Sequence, residues 1–141
     1  MSLQKQAIAF REAFGQECLP NISRFGFIKK QLWDMQVGLI REESQEFLEA
    51  SDEAYADPEN IKTRTALLKE LSDLVFVCYQ FAAAYNLDLD SAMEHVFESN
   101  MSKLDDNGKP IYRGDGKVLK GPNYKPPQLD QFVPTPYSTQ G

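Results

Sequence analysis

Residues 57–86 read DPENIKTRTALLKELSDLVFVCYQFAAAYN, and this stretch decides the fold class. Asp57-Pro58-Glu59 has the form of a helix start: a capping aspartate, a proline in the first turn, and a glutamate against the positive end of the dipole. Asn86 can take the left-handed conformation that closes a helix. The pattern predicts a helix over residues 58–85, about 42 Å long at 1.5 Å per residue. From Leu74 to Tyr85 it is apolar almost all round, through Leu74, Val75, Phe76, Val77, Cys78, Tyr79, Phe81 and three alanines. A four-helix monomer covers only part of a helix's circumference, so a second copy of the chain is expected on this one.

Working outward, Ala7, Phe10, Ala13 and Phe14 recur at helical spacing before Gly15 and predict a first helix over residues 4–14. A loop through Pro20, Asn21 and Gly26 follows. Leu32, Met35, Leu39, Ile40 and Phe47 then mark one face of a helix over residues 29–54. Asp88 or Asp90 caps a fourth helix that runs to about Lys103. Beyond it the pattern changes. Asp106-Asn107-Gly108 and Gly114-Asp115-Gly116 are turn signals, and the runs 110–113 and 117–119 can pair as a small hairpin. The expected architecture is all-α: an antiparallel four- to five-helix bundle with a short basic C-terminal loop or hairpin extension. Residues 1–125 form the domain, including the basic extension 103–125, and 126–141 a Pro-rich tail.

With 141 residues, 42% hydrophobic and 26% charged, the chain has the composition of one soluble domain. The apolar run Leu74–Tyr85 is broken by Gln80 and too short to cross a bilayer. The first 20 residues contain no secretory-type apolar block, and Cys18 and Cys78 lack metal-ligand or disulfide-framework spacing. A cytoplasmic location away from membranes is expected. The net charge is −6, split into −8 over residues 1–102 and +2 over 103–141. Such an acidic body is a poor binder of nucleic acid. An acidic body with a small basic segment suits a compact, highly charged ligand held through metal ions.

The acidic clusters carry the chemistry. Glu42, Glu43 and Glu46 lie at helical spacing on the second helix, and Glu70 and Asp73 on the third. These faces border apolar rows: Glu43 continues Gln36 and Ile40, and Glu70 sits between Leu67 and Leu74. Like charges so placed repel and lose hydration, and a divalent cation relieves both penalties. Oxygen-only ligands suit Mg²⁺, or Mn²⁺. Singly, either motif reads as a solvated face. On two helices that pack antiparallel, the pair favours a metal site. A di-iron carboxylate bundle needs Glu-x-x-His on two helices; the chain has one histidine, His95, with Ala92 three residues before it. No nucleophilic triad or P-loop is supported. Asn100 and Lys103 close the fourth helix and can bond phosphate, although the helix dipole alone favours a lysine there. Arg113, Lys117 and Lys120 immediately after them tip the reading toward phosphate.

The chain resembles the all-α nucleoside triphosphate pyrophosphohydrolases, with their ExxE…ExxD signature, on Glu43-x-x-Glu46 and Glu70-x-x-Asp73. The likeness is to a MazG-like or phosphoribosyl-ATP-pyrophosphohydrolase-like branch in particular. Residues 9–15, 39–43, 69–74, 99–103 and 116–124 carry it, within a span of 7–127. The resemblance implies Mg²⁺-dependent hydrolysis of a nucleoside triphosphate to monophosphate and pyrophosphate. Glu43, Glu46, Glu70 and Asp73 would hold two or more metal ions, and Glu42 or the ligating Glu43 would take the proton of the attacking water. Asn100, Lys103, Arg113, Lys117 and Lys120 would grip the phosphates, with Tyr124 on the sugar or base. A homodimer or dimer of dimers is expected. The competing reading is a non-catalytic dimeric module that binds nucleotide or a protein partner, and the completeness of the acidic set argues for the enzyme.

Overall fold

The computed structural model describes residues 1–19 and 30–134. The expected loop through Pro20, Asn21 and Gly26, and the end of the Pro-rich tail, lie outside them. The described residues form α1 (Leu3–Ala13), α2 (Lys30–Ala56), α3 (Ile61–Ala84), α4 (Leu89–Met101) and a 3-10 turn at Asp130–Phe132. The protein is all-α. No helix among the described residues is long and apolar enough to cross a membrane.

The helix ends follow local chemistry. Ser2 caps α1 by accepting the Lys5 N–H at 3.2 Å, and Gly15 closes it at φ +64°. Asn86 ends α3 at φ +55°, as its type predicts, and Asp88 caps α4 through the Ser91 N–H at 3.1 Å. One boundary differs from expectation: α3 begins at Ile61, with Asn60 rather than Asp57 as its cap. Asn60 Oδ1 accepts the Lys62 N–H at 2.9 Å, while the Asp57 carboxylate accepts the Asn60 side-chain amide at 2.9 Å. The Asp57 N–H meanwhile closes α2 on the Glu53 carbonyl. Residues 57–60 are thus consumed in reversing the chain between α2 and α3, and α3 is about 36 Å long.

The described residues divide into two compact units, Met1–Leu87 with Pro134, and Asp88–Val133. In the first, α1 and α2 both pack on α3. Trp33, near the start of α2, meets Phe81 and Tyr85 at the end of α3 with ring centroids 5.1 and 5.3 Å apart, so the two helices run antiparallel. Phe10 of α1 meets Phe76 edge-on at 5.2 Å. The core is rich in alanine: Ala7, Ala82, Ala83 and Ala84 are buried, and so is Tyr85. Burying one such aromatic contributes about 1.5–3 kcal/mol. Buried Arg11 donates to the Glu17 carbonyl at 2.8 Å and to Gln80 Oε1 at 3.2 Å, which solvates its charge inside the protein. Leu71, Val75 and Phe76 stay partly exposed along a groove of about 410 Å³ shared with Leu3 and Tyr79.

In the second unit the chain after α4 folds back along that helix. The Asp88 N–H donates to the Phe132 carbonyl at 3.0 Å, and His95 packs edge-on against the Phe132 ring at 4.8 Å. The anticipated hairpin is present as a single antiparallel bridge between Tyr112 and Val118. Hydrogen bonds from Leu119 N–H to Ile111 and from Arg113 N–H to Lys117, both 2.7 Å, flank it.

Candidate active site

Glu43 and Glu46, three apart on α2, project from one face of that helix, and antiparallel packing sets Glu70 of α3 opposite them. Each offers one carboxylate oxygen, and these oxygens all lie within 4.8 Å of one another. All three residues are half-buried. Glu43 Oε2 and Glu70 Oε2 are fully enclosed and have no hydrogen-bond partner. Leaving a buried acceptor unpaired is costly, so the arrangement is unstable unless something positive enters it. The carboxyls relieve part of the strain with a proton. Glu46 is pushed up from 4.5 to about 7, first by its hydrogen bond to Glu43 and the charge on Glu43, then by desolvation and by Glu70.

These features fit a hard divalent cation. The donor set is all oxygen, two oxygens are orphaned, and an ion with bonds of about 2.1 Å spans oxygens about 3–4 Å apart. The remaining acids take other places. Asp73, a turn further along α3, accepts from Lys69 Nζ at 2.8 Å, and the same ammonium lies 3.3 Å from Glu70 Oε1. Both carboxylates hold the Lys69 charge, raising its pKa. Glu42 is exposed and lines an open cavity of about 680 Å³ with Asp34, Gly38 and Leu39. The pairing of Lys69 escaped sequence reasoning, although its spacing of four from Asp73 is the ordinary signal of a helix ion pair.

The phosphate-binding candidates all belong to the second unit. Asn100 is exposed at the end of α4, and Lys103 is half-buried just after it. Arg113 is committed within the hairpin: its Nε and Nη2 grip the two Asp115 oxygens at 2.9 and 2.5 Å. That fork lowers the Asp115 pKa and raises that of Arg113. Lys117 is exposed, and the Lys120 ammonium lies 4.7 Å from the centroid of the half-buried Tyr124 ring. The residues that bind the extension to α4 were not singled out from the sequence. Ser99 Oγ donates to the Lys125 carbonyl at 2.8 Å, and Ser102 Oγ accepts the Lys125 N–H at 2.9 Å. Gly121 donates to the Lys103 carbonyl at 3.0 Å, where a Cβ would stand only 2.5 Å from that oxygen.

An all-α fold with an acid-lined site borne on two antiparallel helices is therefore the frame of this protein. Residues 26–100, more than half of the chain, match the phosphoribosyl-ATP pyrophosphohydrolase family, and the chain belongs to that family. This places it among hydrolases of a phosphoanhydride. The matched span holds every candidate carboxylate and Asn100, and ends before Lys103 and the basic extension. A search of curated proteins finds no match.

Proposed function

We propose that the protein hydrolyses a nucleoside triphosphate, or a related nucleotide, to the monophosphate and pyrophosphate with Mg²⁺ or Mn²⁺ as its metal. The observation that carries this reading is the convergence of Glu43, Glu46 and Glu70 with two orphaned oxygens, in a chain of a pyrophosphohydrolase family. When bound, the metal would neutralise phosphate charge and acidify a water. The chain's own residues do the rest. Glu43, Glu46 and Glu70 would hold the ion, and Asp73, one turn along α3, would join them by releasing Lys69. Glu42, exposed on the same helix as Glu43 and Glu46, or the ligating Glu43 would accept the proton of the attacking water. Asn100, Lys103, Lys117 and Lys120 supply donors and positive charge for the phosphates, and Tyr124 an aromatic face for the sugar or base. Arg113 joins them only by releasing Asp115. The groove along Leu71, Val75 and Phe76 is the face on which a second copy packs, giving a cytoplasmic homodimer or dimer of dimers.

The test is pyrophosphate release from a panel of nucleoside triphosphates, with Mg²⁺ and with chelator. Metal-dependent release by the parent, lost in Glu46→Ala while the helical signal is kept, supports the reading. Full activity in Glu46→Ala, or no release from any nucleotide, overturns it.

A further inference from the structure

We propose that Gln36 reads the hydrogen-bonding edge of the substrate's base: its side chain lines a cavity, two helical turns before Glu43, that takes a planar nitrogen heterocycle with an N–H group to donate. The inference rests on the nucleotide reading above and assigns a place to the part of the ligand that the metal does not hold.

Among the described residues, three enclosed side-chain oxygens have no hydrogen-bond partner. Two belong to Glu43 and Glu70, whose charge calls for a cation. The third is Gln36 Oε1, on a residue only 3% exposed. A neutral amide oxygen calls instead for an N–H or O–H donor. Leaving it unpaired costs stability, and an apolar side chain of the same length would fill the position without that cost. The same core does satisfy a buried amide. Gln80, equally enclosed, accepts from Arg11 Nη1 at 3.2 Å and donates to the Ala7 carbonyl at 3.3 Å. The partner of Gln36 is one that the described chain does not supply.

Gln36 lines a cavity of about 540 Å³ between the end of α1 and the first turns of α2, with Leu32, Met35 and Leu39 as apolar walls and Gln31 and Arg11 among its polar groups. Apolar walls with a few placed polar groups suit a flat ring, and Met35 offers an adaptable surface for its face. The cavity is not built for phosphate: Arg11 already donates to the Glu17 carbonyl and to Gln80, and Glu17 adds an acid to the same wall. Position supplies the link to the triad. Gln36 and Glu43 lie on one row of α2, seven residues and about 10.5 Å apart along its axis. A nucleotide whose phosphates reach the triad can lay its base at the other end of that row. The last torsion of Gln36 is a broad two-fold rotor, so the amide can turn Oε1 to a ring N–H and offer Nε2 to an adjacent acceptor. A nucleobase edge carries such a donor beside an acceptor.

The test uses the full-length protein with chelator and uncharged nucleosides, followed by calorimetry and by the Gln36 side-chain amide signal in nuclear magnetic resonance spectra. Adenosine is compared with purine riboside, and cytidine with its pyrimidinone analogue, each of which lacks the exocyclic amine; uridine and guanosine are compared with their ring-N-methylated forms. The expected result is that at least one nucleoside shifts the Gln36 signal and binds about tenfold or more tightly than its donor-less counterpart, and that Gln36→Met loses this preference. Circular dichroism checks the fold, and Gln36→Leu carries the same test if the methionine variant is not folded. Equal binding within every pair, as when a buried water satisfies Gln36, overturns the inference, and so does a preference that survives in Gln36→Met. Pyrophosphate release from the matching triphosphates with Mg²⁺ separates the two readings. Selective nucleoside binding by a parent that releases no pyrophosphate removes the reaction and leaves the pocket. Release by Gln36→Met with the parent's ranking of bases removes the pocket and leaves the reaction.

Discussion

Metal binding at the glutamate triad should compete with a proton, and the competition has a defined pH window. Glu46 is raised from 4.5 to about 7 because its proton is shared with Glu43 in a desolvated corner that also faces Glu70. Between these values the folded, metal-free protein keeps a proton that the unfolded chain has released. Folding is therefore favoured by low pH across the window, and stability falls as pH rises from 4.5 toward 7. Divalent ions require the ionised triad, so each ion bound below pH 7 displaces about one proton. Apparent Mg²⁺ affinity should then drop about tenfold per pH unit below 7 and level off above it. Calorimetric titrations between pH 5.5 and 8, in two buffers of different ionisation enthalpy, give both the affinity slope and the protons released. The metal-free melting temperature over the same range should fall with rising pH, and Glu46→Gln should flatten both curves. An affinity independent of pH from 5.5 to 8, with no proton released, would refute the reasoning, because it would mean that the triad carries no shared proton.

Replacing both Lys117 and Lys120 by alanine should raise the Michaelis constant for nucleoside triphosphate more than it weakens binding of the uncharged nucleoside; unchanged constants at low salt would show that the phosphate grip lies elsewhere. Gly121→Ala forces a methyl group to 2.5 Å from the Lys103 carbonyl oxygen. It should cost about 1–3 kcal/mol in chemical denaturation, the scale of an overpacked contact, and loosen the hydrogen-exchange protection of residues 121–125; parent-like stability would mean that the extension tolerates the shift. Light scattering at micromolar concentration should report at least a dimer, and a 16.0 kDa species would count against the groove as a subunit interface.

The sequence by itself determined the features that act over one or two helical turns. Gly15 and Asn86 take positive φ where their residue types predict a helix to stop, and Asp88 caps where a short polar side chain precedes an apolar run. The spacing of Glu43 and Glu46 put both on one face of α2, and the Gly114–Gly116 turn signalled its hairpin. These outcomes depend on torsional preference and local hydrogen bonding, which neighbours in the chain supply. Tertiary structure decided whatever depends on relative placement. It chose Asn60 over Asp57 as the cap of α3, because the reversal between two packed helices consumed residues 57–60. It brought Glu70 to the α2 glutamates while leaving Asp73 with Lys69. It also tied the extension to α4 through Ser99, Ser102 and Gly121. Four acids of the same type and helical spacing look equivalent in a sequence, and only the register of α3 against α2 fixes which oxygens converge and which meet a neighbouring ammonium.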